Sequence, residues 1–228
     1  MMKKKWIVTG VIVAALLAGL DLGAPKLAQA GIYQALAEHM EIQPQDVSIT
    51  SSPGIEILTG HIDDVQASGD EIRIGKLRVQ HMDCNLHGVQ FNPIDSVTQH
   101  KLVVTSAQSG ELNARITSED LQAYLKQAVQ GANDLKVTFS GDQVHLQGKI
   151  RVGGLVNADA DISGHFGMEG TKLMFLPSNV TVSALGAKYS GFQLARLEVY
   201  DFADFPLGIV PDSITMQGDS LTLHGQVS

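Results

Sequence analysis

One cysteine, Cys84, is all the chain carries, so no disulfide can close within it. Because Cys84 stands far from the N-terminal apolar run, a lipoprotein-type acylation site there is excluded as well. Positive charge is scarce. Lys and Arg number 16 against 24 Asp and Glu, for a net charge of -8. Lys3, Lys4, Lys5 and Lys26 sit near the N-terminus, so the remainder is more acidic still. Phosphate backbones and anionic bilayer surfaces repel such a body, which argues against nucleic acid as a partner and requires any lipid contact to be largely apolar. The usual catalytic signatures are missing too: there is no Gly-x-Ser-x-Gly elbow, no Gly-x-Gly-x-x-Gly or phosphate-binding loop, and no His-Glu-x-x-His. The lone thiol removes paired-cysteine chemistry. A Ser/His/Asp set assembled from distant strands stays open, but the expectation is a non-enzymatic protein without a cofactor.

Long hydrophobic runs are limited to the N-terminus. Behind Lys3, Lys4 and Lys5, the stretch from Trp6 to Leu20 is apolar over 15 residues, interrupted only by Thr9 and two glycines. At about 1.5 Å per residue it spans roughly 22 Å, short of the roughly 30 Å hydrocarbon core, which favours a signal peptide over a full transmembrane helix. Ala28-Gln29-Ala30 offers a small-residue cleavage site, whereas Asp21, Pro25 and Lys26 in the long gap before it suit retention as an N-terminal anchor. Either way residues 1–30 export the chain, and residues 31–228 are expected as a single domain outside the cytoplasmic membrane, in the periplasm or its equivalent.

What is present is 44% hydrophobic residues, enough to close one core or two related halves sharing one. One stretch, Thr117 to Gly131, is strongly helical. Thr117 caps the first turn, Asp120 reaches back three residues on, and Glu119 and Asp120 suit the positive end of the helix dipole. Leu121, Tyr124, Leu125, Ala128 and Val129 make a single apolar stripe, and Gly131 fits the stop. A looser apolar set predicts a second, N-terminal helix from Lys26 to Met40, ended by Gln43-Pro44.

The rest alternates as antiparallel strands. They fall at Val47–Ile49, Ile55–Ile57, Ile62–Ala67, Ile72–Ile74, Leu77–Val79, Met82–Leu86, Lys101–Ala107 and Glu111–Ile116, with Gly69-Asp70 as turn punctuation and a bulge or sharp bend at Gly75-Lys76. After the central helix come a hairpin through Ser140-Gly141-Asp142, a strand through Ala158 and Ile162, then Leu173–Pro177, Val180–Ala184, Phe192–Leu194, Leu197–Val199, Ile214–Met216 and Leu221–Leu223. A glycine recurs between apolar residues at Gly60, Gly148, Gly164 and Gly225. Mid-strand glycines permit strong bending or close approach of another backbone, and they also mark ordinary bulges; the pattern fits both. The fold class is α+β: a long, highly curved antiparallel β-sheet wrapped around the central amphipathic helix, with the second helix at the N-terminus.

His81, Asp83, Asn85 and His87 share a strand face opposite Met82, Cys84 and Leu86. Side chains at i and i+2 stand roughly 7 Å apart, so one ion can take only a neighbouring pair, and a solvated face is the expected role, with no metal. Asp159 and Asp161 read as a wet face in the same way. His39, His61, His100, His145, His165 and His224 are scattered and read as surface or hydrogen-bonded strand residues.

The order of elements carries a resemblance. An export segment runs into a helix, followed by Pro53-Gly54 and Leu58-Thr-Gly60-His-Ile62, then Glu119-Asp120-Leu121-x-x-Tyr124-Leu125, then Val144-x-Leu146-x-Gly148, and a loop at Phe205-Pro206-Leu207-Gly208 precedes a terminal Leu221-x-Leu223-x-Gly225. Over roughly residues 27 to 227 this resembles the LmeA-like phospholipid-binding proteins of bacterial envelopes. The resemblance implies an architecture like that of tubular lipid-binding proteins, with an apolar groove for a phospholipid or other acyl lipid and the membrane as partner. Groove-lining candidates are Leu121, Tyr124, Leu125 and Val129 on the helix, with Phe139, Leu146, Phe166, Phe175 and Phe192 from strands. Their spacing suits a filled core equally well. The alternative function is a membrane-anchored structural or interaction domain that binds another envelope protein by a sheet edge.

Overall fold

The computed structural model describes residues 26, 30, 33, 34, 36, 37, 40–99, 103–128, 133–152, 156–184, 187–190, 196–205 and 207–227. Residues 1–25 of the export segment, Val129, the stop glycine Gly131 and Phe192–Leu194 lie outside them. Among the described residues, no helix is long and apolar enough to cross a membrane. Tyr33, Gln34, Leu36 and Ala37 are helical, as the N-terminal pattern predicts, but Met40 already belongs to a strand.

Antiparallel strands divide between two sheets. The first holds β1 (Met40–Glu41), β2 (Val47–Thr50), β3 (His61–Ile74), β4 (Leu77–Phe91), β5 (Val104–Ser106) and β6 (Ser109–Thr117), completed by the last two strands of the chain. Between β4 and β5 lies the short helix α1 (Pro93–Gln99), and after β6 comes α2 (Ser118–Ala128). The second sheet holds β7 (Asn133–Ser140), β8 (Gln143–Val152), β9 (Val156–Glu169), β10 (Lys172–Ala184), β11 (Ala187–Ser190) and β12 (Leu197–Asp201). The chain then returns to the first sheet as β13 (Ser213–Gln217) and β14 (Ser220–Val227). The orders are β1-β3-β4-β6-β14-β13, with β2 on β3 and β5 on β4, and β11-β10-β9-β8-β7, with β12 on β10. The expected antiparallel α+β architecture is present, and α2 packs against β4, β6 and β7.

The β3–β4 hairpin turns at Gly75-Lys76, with Ile74 opposite Leu77 and Gly75 at φ +61, which a tight two-residue turn requires. Two of its cross-strand positions go unpaired, Asp63 against Gly88 and Glu71 against Gln80, and each contains a positive-φ residue, Gly88 at +57 and Glu71 at +56. There both strands exchange faces together, so burial passes from Ile62 to Val65 and Ala67, and from these to Ile72 and Ile74, without a slip in register.

Several expectations are corrected. Ile55–Ile57 is part of a 3-10 helix, Gly54–Thr59, closed by Gly60 at φ +91, because Thr59 Oγ1 and the local backbone bonds serve a turn better than three alternating residues serve a strand. Gly60 is therefore a cap and not a mid-strand glycine. Gly69-Asp70 is no turn: both residues lie within β3 and pair with Met82 and His81 of β4, and Gly69 instead leaves space for the Pro44–Asp46 turn, whose Asp46 Oδ2 would lie 3.1 Å from an added Cβ. The strand expected over Lys101–Ala107 is described only as the three residues of β5, and α1 precedes it unannounced, capped by Asn92 Oδ1, which accepts from the amides of Ile94 and Asp95 at 3.1 Å. Leu173–Pro177 and Val180–Ala184 are one strand, β10, with a register shift between Pro177 and Asn179.

Candidate functional site

Helix α2 is set by its first turn. Asp120 accepts from the Thr117 amide at 3.2 Å while the Asp120 amide donates to Thr117 Oγ1 at 3.1 Å, the reciprocal cap expected from the sequence. The carboxylate also takes the Thr117 hydroxyl at 2.6 Å and pairs with Arg78 of β4. Further along, Gln122 Oε1 accepts from the Val137 amide of β7 at 3.2 Å, and the Tyr124 hydroxyl donates to the Val199 carbonyl of β12 at 2.9 Å. The helix thus ties the first sheet to both margins of the second. Its other residues, Leu121 and Leu125, are 1% and 2% exposed and join the apolar interior.

From the second sheet, Leu146, Phe166 and Phe175 are buried in the same cluster, while Phe139 and Tyr124 are half-buried against it. The rings of Phe166 and Phe175 lie 5.5 Å apart at 56°. Gly164 makes this possible, since a Cβ there would meet Phe175 Cζ at 2.7 Å and the Leu176 carbonyl at 2.5 Å. The candidates within the described residues are therefore brought together in one interior; Val129 and Phe192 are not described. That interior is continuous from Leu36 through both sheets to Leu223.

One segment was missed. The chain from 202 to 211, all but Pro206 described, crosses back from the second sheet to the first with Phe202, Phe205, Leu207 and Ile209 at 5%, 3%, 1% and 0% exposure. Its apolar residues at every second or third position were the available signal, but they read as loop because Pro206, Gly208 and Pro211 punctuate them. Beneath it remains a void of about 10 Å³, walled by Val79, Met82, Leu112 and Ile116 of the first sheet, Leu173 of the second and Phe205. A space of that size barely admits one water, so among the described residues side chains fill the space beneath this segment. Among the described residues, no buried side-chain nitrogen or oxygen lacks a partner.

Burial tunes the groups at its margin. It pushes the Cys84 thiol up to about 12, with the Asp83 charge adding to the shift, which makes the thiol an inert small hydrophobe. Burial, with Asp204 and Asp201 nearby, likewise pushes Tyr200 up to about 12.

The larger concavity, about 570 Å³, lies on the opposite face of the second sheet and is polar, lined among others by His145, Lys149, Asp159, Asp161, Thr181 and Lys188. There Gln147 Nε2 donates to Asp161 Oδ2 at 3.0 Å. On the solvent face of β3 and β4, His81 bridges Asp70 and Asp83 at 2.7 Å each, and His87 Nδ1 lies 2.5 Å from Asp64 Oδ1. Glu56, His61 and Asp63 bring ligand-type atoms within 4.8 Å of one another, and His61 also contacts Gln90 at 2.6 Å. His61, Asp63, Asp64, Asp70, His81, Asp83 and His87 are hydrogen-bonded to one another or to neighbours, while Glu56 reaches His61 only at 3.9 Å.

A continuous apolar interior runs between the two antiparallel sheets, with the buried side-chain polar atoms of the described residues satisfied. The chain belongs to the LmeA-like phospholipid-binding family, whose family model matches residues 19–226. No curated protein and no solved structure matches it.

Proposed function

We propose that the protein binds a phospholipid by its acyl chains between the two sheets, outside the cytoplasmic membrane, leaves it chemically unchanged, and by binding or transferring it supports maintenance of the envelope. One observation carries this reading: the aliphatic cluster runs unbroken through both sheets and the stripe of α2. Sheltering an acyl chain is worth about 0.8 kcal/mol per buried CH₂. A bilayer already provides that shelter, so only a comparably apolar lining makes extraction nearly neutral. The basic cluster Lys3–Lys5 followed by the apolar run to Leu20 supports export, with the segment cleaved or kept as an anchor.

A second reading has one observation in its favour. β11 is an edge strand whose four residues are all exposed, so a filled interior together with an open edge suits an anchored interaction domain. Mass spectrometry of an organic extract from the full chain, purified without detergent and then incubated with phospholipid vesicles, separates the two. Stoichiometric phospholipid is expected; a folded protein that stays lipid-free after incubation would leave the interaction domain in front.

A further inference from the structure

The segment from 202 to 211 is held at its ends. At one end the Phe202 amide donates to the Thr171 carbonyl at 2.8 Å; at the other the Asp212 amide donates to the His224 carbonyl at 2.9 Å. Between them, the hydrogen bonds of the described residues are local: Ala203 to Asp201, Phe205 to Phe202, and Gly208 to Phe205. Among its described residues no ladder pairs this stretch with either sheet, yet Phe205, Leu207 and Ile209 are almost wholly buried. Burial of side chains, with little backbone pairing, holds the strap down.

Its bed is shaped for it. A Cβ on Gly225 of β14 would lie 2.8 Å from the Val210 carbonyl and 3.1 Å from Ile209 Cγ2, and one on Gly110 of β6 would lie 3.3 Å from Ile209 Cδ1. Gly225 thus leaves room for the strap directly, while Gly110, which first of all spares Leu86 at 2.5 Å, also lies under Ile209; together they make a shallow bed for the strap on the first sheet, here called the trough.

Midway along, the strap also borders β5 and the start of α1. Gly208 approaches Val104 of β5, and the preceding Val103 carbonyl accepts from the Asn92 amide at 3.0 Å, at the start of α1. A Cβ on Gly60 would lie 3.2 Å from Pro93 Cδ, so the 3-10 helix Gly54–Thr59 adjoins the same start. On these two neighbouring turns stand Leu58 and Ile94, 60% and 75% exposed. Aliphatic side chains on adjacent tips suit contact with a bilayer.

We infer that the trough under residues 205 and 207–210 is the acyl-chain site, that the strap occupies it when no lipid is bound, and that an acyl chain enters from the side bearing Leu58 and Ile94 as the strap lifts. This rests on the proposed lipid binding and adds to it where the chain lies and what it displaces. Each methylene that enters replaces apolar contacts that the strap gives up, so exchange needs no new cavity.

The test is a reversible lock. A Cβ placed on Gly208 would stand 4.0 Å from the Val104 Cβ, within the range for a disulfide, and since φ +73 strains any side chain there, the reduced variant is the reference for the oxidised one. The full chain carrying Gly208→Cys and Val104→Cys is incubated, oxidised or reduced, with palmitoyl-oleoyl phosphatidylcholine vesicles, and bound lipid is measured by extraction and mass spectrometry. Buried Cys84 stays out of the exchange. Loading is expected to fall at least tenfold on oxidation and return with reductant. Equal loading in both states overturns the strap while leaving lipid binding intact; an absence of lipid in the reduced variant and the unsubstituted protein alike overturns both. Amide hydrogen exchange on the unsubstituted protein decides independently of the variant's folding. Lipid should accelerate exchange at residues 205 and 207–210, and unchanged protection there in lipid-loaded protein overturns the inference.

Discussion

Asp120 serves three donors with one buried carboxylate: the Thr117 amide, the Thr117 hydroxyl and Arg78. It is 2% exposed, whereas the Arg78 side chain is 40% exposed and can return to water if released. Asp120→Ala should therefore cost about 1–3 kcal/mol, the loss of a cap with one amide left unpaired, rather than the larger cost of stranding a buried charge. Urea denaturation of the variant beside Asp120→Asn, which keeps an acceptor for the Thr117 amide, measures the difference. His81 acts differently. Asp70 first, then Asp83, raise its pKa by hydrogen bonding, so protonated His81 favours the folded state. That contribution is complete below the unfolded value near 6.5 and is lost as pH rises through the higher folded value. With the ring 45% exposed, solvent screening holds it to about 0.5 kcal/mol. The denaturation midpoint should fall between pH 6 and pH 8, and His81→Gln should flatten that fall; an unchanged slope would sink the assignment.

At the scale of elements, alternation made most strands legible because one face of each is buried, as Met82, Cys84 and Leu86 show against His81, Asp83 and Asn85. The α2 cap was equally plain, since Thr117 and Asp120 act locally. Illegible were features decided at a distance. Gly69 looks like a turn until the Pro44–Asp46 turn is placed against it, and Ile55–Ile57 is too short for its period to separate a strand from a 3-10 helix. Of the candidate lining, helix and strand positions were readable as apolar, but the strap was not, because its burial depends on the trough at Gly110 and Gly225. For Gly164 the sequence left close approach and an ordinary bulge open, and the structure has both: tight contacts at its Cα and a register shift beside its partner Pro177. Adding a methyl there drives it into the Leu176 carbonyl and the Phe175 ring, at 2.5 and 2.7 Å, so Gly164→Ala should destabilise by about 1–3 kcal/mol. A thermal midpoint equal to that of the unsubstituted protein would show that β9 and β10 can part without loss.

Across the whole molecule, α2 and the strap are the two crossings between the sheets, and they differ in kind. α2 is fastened by hydrogen bonds to β7 and β12 and by its ion pair to β4, while the strap is fastened by apolar burial. Phe205, Leu207 and Ile209 contribute roughly 5–9 kcal/mol by burial, which about six to eleven acyl methylenes would match. Exchange near neutrality leaves the approach to the bilayer as the step that charge can control. The chain carries a net charge of -8, and Glu56 and Asp95 stand on the same two turns as Leu58 and Ile94. Long-range repulsion from an anionic surface reaches about 30 Å at 0.01 M salt but only about 8 Å at 0.15 M. At low salt, loading from phosphatidylglycerol vesicles should therefore be several-fold slower than from phosphatidylcholine vesicles, and the gap should narrow as salt rises. Stopped-flow fluorescence with a labelled acyl lipid gives both rates. Faster loading from the anionic vesicles at low salt would mean that basic side chains, not the acidic side bearing Leu58 and Ile94, meet the membrane first, and the entry would then have to be sought where the lysines gather.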